Sequence, residues 1–201
     1  MARASGTEGY GETADELVER YEALEFEHVH RSVLPFLSPP PASVIDIGAG
    51  TGRDAAAFAA RGYRVVAVEP TPELRAHAQR LHADVAIEWI DDALPDLTVV
   101  RGRRESFGLV MLTAVWMHLD LEQRGRAMPA VASLMAPNGI MSALLRHGPV
   151  PRGRRMFEVS AAETVALAAR HGLSTVHNSS RAAVTEAKGV TWDVLVFTRP
   201  A

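Results

Sequence analysis

The sequence predicts an α/β fold, a doubly wound sheet of seven strands that is mostly parallel and ends in an antiparallel pair of C-terminal strands. Apolar stretches typical of buried strands alternate with helical patterns along most of the chain, which favours parallel strands joined by helices. A glycine-rich turn directly follows the first strand. The last two strands are separated by about a dozen residues without helical periodicity, which is too short for a usual parallel crossover.

Composition fits one globular domain and excludes several classes of function. The 201 residues are 47% hydrophobic and 22% charged, and the net charge of −3 gives no reason to expect nucleic acid as a partner. The absence of cysteine excludes disulfides and thiolate metal sites. No stretch resembles a signal peptide or is long enough to span a bilayer. We therefore expect a single domain over residues 1–201, located in the cytoplasm and not in a membrane.

Residues 1–41 are expected to form a helical N-terminal extension. Thr13 and Glu16 match the capping-box pattern, and apolar residues then recur at helical spacing until Pro35 ends the helix. The three prolines at positions 39–41 predict a stiff connector rather than a domain boundary, because too little chain precedes them to fold alone.

The core, residues 42–201, contains the remaining predicted elements. Its strands are expected at 44–47, 64–68, 85–90, 107–112, 140–145, 173–177 and 192–197. Helices are expected at 53–61, 73–82, 120–136 and 160–170. Pro129 predicts a kink or two short helices in the third of these, and Asn138-Gly139 predicts a turn. Ser160 and Glu163 form a second capping-box pattern.

The glycine turn lies in "VIDIGAGTGRD", residues 44–54, with glycines at positions 48, 50 and 52. Glycine permits both a sharp bend and the close approach of a ligand, although a tight turn without a ligand is an alternative. A P-loop would need Lys and then Ser or Thr after its last glycine, where this chain has Arg53 and Asp54. A dinucleotide-binding turn would need its third glycine at Arg53. The spacing therefore argues against both of these ligand classes.

A series of motifs over residues 42–146 resembles those of the class I S-adenosylmethionine-dependent methyltransferases. The motifs are "VIDIGAGTG", "VVAVEP", "WIDDALPDL", "FGLVMLTAVWMHLD" and "LMAPNGIM", and the last has Asn138 where the family has a glycine. The resemblance implies a Rossmann-like fold and methyl transfer as the activity. It also implies S-adenosyl-L-methionine as the cofactor and S-adenosyl-L-homocysteine as the product.

The resemblance implies a cofactor site along the carboxyl ends of the strands. Glu69 would bind the two ribose hydroxyls, since a carboxylate accepts two hydrogen bonds from a vicinal diol. Asp91 and Asp92 are both candidates for the adenine amino group, and spacing does not choose between them. The full implied set is Asp46, Gly48, Ala49, Gly50, Arg53, Glu69, Pro70, Asp91, Asp92, Thr113 and Trp116.

Three of these side chains have a second interpretation. Asp46 suits hydrogen bonding to backbone amides of the turn as well as a position near the cofactor amino group. Arg53 suits the first turn of a helix as well as contact with the cofactor carboxylate. Trp116 suits the hydrophobic core as well as the pocket wall, which its position in the motif favours.

Candidate substrate residues lie in the extension and after the fourth and fifth strands. Tyr10 and Tyr21 belong to the segment that covers the active site in many members of the family, and a mobile tail is the alternative. His118 is a candidate general base, or a loop residue, because an unperturbed histidine has a pKa of about 6.5. Arg146 begins a basic cluster, "RHGPVPRGRR", that either clamps a substrate carboxylate or phosphate or is a solvated loop.

The sequence thus predicts a methyltransferase that acts on an unidentified small molecule, as a monomer or homodimer. Neither nucleic acid nor a membrane is expected as a partner. The histidines show no metal-binding spacing, so no metal is expected. Two alternatives stay open: a non-catalytic module that binds S-adenosylmethionine, and a nicotinamide-dependent oxidoreductase, against which Arg53 argues.

Overall fold

A sheet of seven strands forms the centre of the protein, which a computed structural model describes for residues 4–183 and 189–201. Its strands are β1 (Ser43–Ile47), β2 (Arg64–Val68), β3 (Ile87–Ile90), β4 (Phe107–Thr113), β5 (Met135–His147), β6 (Ser174–Ala182) and β7 (Thr191–Thr198). They lie in the order β3-β2-β1-β4-β5-β7-β6. Neighbours among β1 to β5 are parallel, whereas β7 is antiparallel to both β5 and β6. The predicted fold class is confirmed.

Helices pack against the sheet on both faces. They are α1 (Ala14–Glu22), α2 (Phe26–His30), α3 (Arg53–Ala60), α4 (Pro72–Leu81), α5 (Thr98–Gly102), α6 (Leu121–Ser133) and α7 (Ala161–Arg170). Alternate residues of β1 enter different cores, Val44 with Phe58 of α3, and Ile45 with Val131 of α6. Both faces of β1 are therefore covered, which is why its residues from Val44 to Ile47 are all buried.

The N-terminal extension forms two helices, where the sequence predicted one helix up to Pro35. α1 and α2 are separated by residues 23–25, and Glu25 has an extended backbone. The capping box predicted at Thr13 is wrong. The Thr13 hydroxyl donates to the carbonyl of Gly9 (2.9 Å) and makes no capping hydrogen bond to α1.

The boundary between α6 and β5 also differs from the prediction. Asp120 caps α6 as expected, but the helix ends at Ser133 rather than at position 136. It runs through Pro129 as one helix rather than as two short ones. The predicted turn at Asn138 and Gly139 lies inside β5, where the register with β4 shifts. Asn138 supports this irregularity by adopting a left-handed backbone with φ of 59°.

The remaining differences are local. The sequence did not predict α5. Ser160 caps α7, but the Glu163 carboxylate binds Arg124 (2.7 Å), and no return bond to the cap is formed. β6 continues past position 177 to Ala182, and the predicted connection to β7 includes residues 184–188, which lie outside the described residues. None of the described helices is long and apolar enough to cross a membrane.

The glycine turn joins β1 to α3. Gly48 and Gly50 have φ of 74° and 58°, a region that favours glycine. The Gly48 backbone N–H donates to the carbonyl of Val68 at the end of β2 (2.8 Å), which fixes the turn beside the neighbouring strand. An added Cβ at Gly48 would lie 2.5 Å from Val115 Cγ2, whereas one at Gly50 would meet nothing within 4 Å.

Replacing Gly48 should therefore destabilise the fold more than replacing Gly50. Gly48→Ala should lower the free energy of unfolding by about 2–4 kcal/mol, from backbone strain and the clash with Val115 together. Gly50→Ala, the matched control, should lose only about 1–2 kcal/mol from strain. Urea unfolding followed by circular dichroism measures both values, and equal losses would contradict the contact with Val115.

Candidate active site

A cavity of about 700 Å³ opens at the carboxyl ends of the strands. The strand order reverses between β1 and β4, and ligands of such sheets bind in the crevice at this switch point. Residues that follow β1, β2, β3 and β4, together with the end of β5, form its inner walls. The N-terminal segment contributes a further wall between Ser5 and Val29. The volume lies in the range of small-molecule sites.

Glu69 is a buried carboxylate at one end of this cavity. Its side chain accepts the backbone N–H of Gly50 at Oε2 and that of Thr71 at Oε1, both at 2.7 Å. Burial raises the pKa of the Glu69 carboxyl, and the hydrogen bonds from Thr71 and Gly50 oppose that shift. The Thr71 hydroxyl is a third hydrogen-bond partner of this carboxylate. Because a carboxylate has about four acceptor positions, these three partners leave capacity for a ligand.

Asp46 lies at the carboxyl end of β1 and lines the same end of the cavity. Burial, followed by repulsion from Asp54, raises the pKa of the Asp46 carboxyl well above its ordinary value. No backbone amide among the described residues of the turn donates to it, so the predicted role in holding the turn is wrong. A ligand cation placed here would stabilise the charged form of Asp46.

Arg53 lines the cavity and is held by a buried ion pair. Its Nε and Nη2 lie 2.8 and 2.6 Å from Asp54 Oδ1, and Asp54 Oδ2 contacts His30 Nε2 at 2.8 Å. Burial would raise the pKa of the Asp54 carboxyl, but His30 and then Arg53 lower it overall. Arg53 Nη1 also donates to the carbonyl of Tyr21 (3.3 Å), which links α3 to α1. The sequence pattern did not indicate the pair of His30 and Asp54.

The structure separates Asp92 from Asp91. Asp92 lines the cavity and accepts the backbone N–H groups of Ala93 (2.8 Å) and Val100 (2.9 Å). The Asp91 side chain is 67% exposed and pairs with Arg75 (2.8 Å) outside the cavity wall. Asp92 is thus the carboxylate available to a ligand, and the candidate Asp91 is set aside.

Trp116, like Asp91, is a predicted site residue that does not line the cavity. Its ring is fully buried in the core between the sheet and α6. Burying the largest apolar side chain in the core is the alternative that the sequence had left open. Ala49, Pro70, Thr113 and Tyr21 do line the cavity, as predicted.

Several contacts besides the bond from Arg53 hold the helix α1 over the cavity. Among them is the contact of Asp15 with His77 of α4 (3.0 Å). Leu17 packs against Leu74 of α4.

Glu22 Oε1 accepts the hydroxyl of Thr51 in the glycine turn (2.5 Å), and its Oε2 lies 3.5 Å from His82 Nε2. Burial would raise the pKa of the Glu22 carboxyl, but His82 and Thr51 lower it overall. Glu22 in turn raises the pKa of His82, against the effect of burial.

Tyr10 and His118 are in direct contact across the cavity. The Tyr10 hydroxyl lies 2.9 Å from His118 Nε2, and His118 Nδ1 lies 2.7 Å from the carbonyl oxygen of Arg155. Because a carbonyl only accepts, Nδ1 carries the proton, and Nε2 of the neutral ring accepts from Tyr10. Burial lowers the pKa of His118, as do Arg154 and Arg146, against the hydrogen bond to Arg155. Burial also raises the pKa of the Tyr10 hydroxyl.

The basic cluster predicted after β5 does not act as one clamp. Arg154 donates to the Thr13 hydroxyl (2.8 Å), and Arg155 donates to the Ser5 hydroxyl. These two arginines therefore hold the N-terminal segment in place. Arg146, at the end of β5, faces the cavity instead.

The charged groups of the cavity are separated along its length. Acidic side chains surround the glycine turn, where Asp46, Glu69 and Asp92 line the wall. Arg146 lies at the end of β5, on the far side of β4 from the strands that carry these acids, and it acts electrostatically on His118. Tyr10 contacts His118 and is also within electrostatic reach of Glu69. Within residues 4–183 and 189–201, no group of three or more His, Asp or Glu side chains is arranged to hold a metal ion.

Comparison with known proteins identifies a domain within the chain. Residues 44–139 match a family described as a methyltransferase domain. Uncharacterized methyltransferases from Mycobacterium bovis and Mycobacterium tuberculosis are 31% identical to this chain over 103 residues. The match covers 48% of this chain and 36% of each mycobacterial protein. This chain thus matches only about a third of the length of these relatives.

Solved structures with the same fold cover nearly the whole chain. A methyltransferase from Methanosarcina mazei has a TM-score of 0.70 at 13% identity, covering 84% of this chain and 97% of its own. The N-methyltransferase NodS from Bradyrhizobium japonicum, in complex with S-adenosyl-l-homocysteine, has a TM-score of 0.68 at 16% identity, with coverage of 94% and 100%. A Burkholderia thailandensis 1,6-didemethyltoxoflavin-N1-methyltransferase has a TM-score of 0.65 at 22% identity, with coverage of 93% and 80%. These likenesses concern the fold alone.

The ion pair between Glu22 and His82 should make the attachment of α1 depend on pH. Because the pKa of His82 is raised, the ion pair stabilises the attachment of α1 fully at pH values below the ordinary histidine pKa. This stabilisation is lost as pH rises through the raised pKa of His82. The lowered pKa of Glu22 keeps the carboxylate charged in that range. His82→Gln should therefore reduce amide hydrogen-exchange protection of α1 by about 0.5–1 kcal/mol near pH 5.5. Near pH 8.5, where His82 is neutral, the loss should be smaller.

His171→Gln is the matched control, because it removes an exposed histidine at the end of α7, away from this contact. It should leave the protection of α1 unchanged at both pH values. A loss in His82→Gln that has the same size at both pH values would contradict an electrostatic contact.

Proposed function

We propose that the chain is a class I S-adenosylmethionine-dependent methyltransferase that transfers a methyl group from S-adenosyl-L-methionine to a small molecule, which the match of residues 44–139 to a methyltransferase domain supports. The observation that carries the proposal is Glu69, a buried carboxylate beside the glycine turn whose acceptor capacity the protein does not fill. A vicinal diol is the group that such a carboxylate recognises.

The other residues at the acidic end fit the same cofactor. Asp92 offers a carboxylate to the adenine amino group, and Asp46 offers one to the ammonium of the methionine part. The Arg53 guanidinium lines the cavity and suits the methionine carboxylate. Three carboxylates beside a ligand that carries a sulfonium and an ammonium also complement its charge. We propose these contacts on the grounds of charge and hydrogen-bonding capacity.

When bound, the cofactor would supply an electrophilic methyl carbon, which a nucleophile of the acceptor attacks in line while the carbon–sulfur bond breaks and S-adenosyl-L-homocysteine leaves. The protein's own contribution is to align the acceptor and to exclude water. Leu17 and Tyr21 of α1 cover the cavity, and the contact of Glu22 with Thr51 holds this cover against the glycine turn. The N-terminal segment would therefore have to open for ligands to enter.

We propose His118 as the residue that accepts the proton of the acceptor. The carbonyl of Arg155 keeps the ring proton on Nδ1, so Nε2 is the basic atom and faces the cavity. The Tyr10 hydroxyl now donates to Nε2, and an acceptor hydroxyl or amine would replace it there. The proton on the acceptor's nucleophilic oxygen or nitrogen would move to Nε2. An electron pair of that same oxygen or nitrogen would form the new bond to the methyl carbon.

Glu69→Ala should weaken binding of S-adenosylmethionine by on the order of 2–3 kcal/mol, because both ribose hydrogen bonds are lost. Asp91→Ala, which removes an exposed carboxylate outside the cavity, should leave the affinity unchanged. Isothermal titration calorimetry measures both, with circular dichroism to verify that the variants are folded. Wild-type affinity in Glu69→Ala would contradict the assignment.

Transfer of a labelled methyl group into a pool of small metabolites tests the activity itself. The proposal predicts a labelled product that depends on active enzyme and disappears in Glu69→Ala. Tight cofactor binding with no labelled product in any pool would favour a non-catalytic binding module instead.

His118→Gln should lower kcat by about a hundredfold, because glutamine cannot accept the proton. Cofactor affinity should be unchanged in this variant, since His118 lies at the opposite end of the cavity from Glu69. In the wild type, kcat/KM should rise with pH through the lowered pKa of His118 and then level off. If His118→Gln kept the rise of kcat/KM with pH, a group other than His118 would be responsible for it.

A further inference from the structure

Arg146 and Arg152 of the basic cluster both line the cavity, and neither forms an ion pair among the described residues, but Arg152 is exposed to solvent. Arg146 is partly buried at the carboxyl end of β5, and its closest polar contact is Met156, with Nη1 3.9 Å from Sδ. Arg155, by comparison, pairs with Asp120 at 3.4 Å. Arg146 therefore brings an uncompensated positive charge to the cavity wall.

The sheet places an aromatic ring beside this charge. Trp192 of β7 lies directly opposite Arg146 in the antiparallel register and on the same face, and both line the cavity. Arg181 of β6 lies opposite Trp192 in turn, but it donates to the backbone carbonyls of His28 and Val29. The Arg181 guanidinium therefore holds α2. The Arg146 guanidinium, on the other side of Trp192, lines the cavity and has no backbone carbonyl or carboxylate partner among the described residues.

An unpaired guanidinium in a partly desolvated wall is costly unless a ligand supplies the opposite charge. Its planar, five-donor geometry matches a carboxylate or phosphate group. Trp192 and Met156 offer apolar surface next to it, on which the body of a flat organic molecule can pack. The acidic end of the cavity would repel the same anion, so the charge distribution also fixes the direction in which such a molecule enters.

We propose that the methyl acceptor is a small organic anion whose carboxylate or phosphate group binds Arg146, with its body packed on Trp192 and Met156. The inference rests on the proposed function and deepens it by naming the chemical class of the substrate. Arg146 is a specificity residue here, because it contacts the acceptor at a group other than the one that is methylated. The atom that receives the methyl group lies toward His118.

The test measures binding of matched pairs of probes that differ in charge but little in shape. The pairs are salicylate with salicylamide, cinnamate with cinnamamide, and phenyl phosphate with its uncharged dimethyl ester. Each is titrated by calorimetry into protein saturated with S-adenosyl-L-homocysteine, for the wild type, Arg146→Gln and Arg170→Gln. Arg170→Gln removes the same charge from the exposed end of α7 and serves as the control.

The wild type should bind at least one anion about tenfold or more tightly than its neutral partner, as expected for charge-assisted hydrogen bonds. Arg146→Gln should abolish this preference and leave the affinity of the neutral probes within about twofold. Arg170→Gln should keep the preference. The carboxylate and phosphate pairs show which of the two anions the site prefers.

Two results would overturn the inference: no preference for any anion in the wild type, or a preference that survives in Arg146→Gln. Titration of S-adenosyl-L-homocysteine into the protein, which precedes the probes, distinguishes a failure of this inference from a failure of the proposed methyltransferase function. If S-adenosyl-L-homocysteine itself does not bind, the proposed function fails and this inference fails with it. If it binds and the anions are not preferred, only the assignment to Arg146 is wrong.

Discussion

The buried carboxylate of Glu69 is the interaction on which the site depends. It accepts one N–H from Gly50 in the turn after β1 and one from Thr71 in the segment after β2, so it fixes two loops of different strands against each other. A buried charge is tolerated only when it is paired or hydrogen-bonded, and these two amides provide that. With the Thr71 hydroxyl they make three hydrogen bonds, which leaves part of the acceptor capacity of the carboxylate unused. The group that shapes the turn is therefore also available to a ligand.

Charge separation along the cavity follows from this arrangement. The acids at the ends of β1, β2 and β3 gather where the parallel strands meet at one edge of the sheet, as the switch-point topology requires. Arg146 comes from β5, which lies beyond β4, and so it reaches the cavity at the opposite end. A cationic cofactor and an anionic acceptor would each meet complementary charge at their own end. The N-terminal segment spans both ends, through Glu22 at one and Tyr10 at the other.

Much of the fold and the acidic end could be predicted from the sequence, because both depend on local pattern. Strand and helix periodicity predicted the sheet, and the resemblance of the motifs to those of a methyltransferase family pointed to Glu69 at the acidic end. The errors arose where the outcome depends on distant partners. Trp116 turns into the core, and Asp91 faces solvent while its neighbour Asp92 faces the cavity. The basic cluster divides because its members find partners far along the chain, which spacing alone does not indicate.

A crystal structure of the complex with S-adenosyl-L-homocysteine would test whether Glu69 binds the ribose of the cofactor. We expect both ribose hydroxyls on the Glu69 carboxylate, the adenine amino group at Asp92 and the amino-acid part beside Asp46. The sulfur should then face the end of the cavity that holds His118 and Arg146. A ligand bound in the reverse direction, or one whose ribose does not contact Glu69, would contradict this expectation.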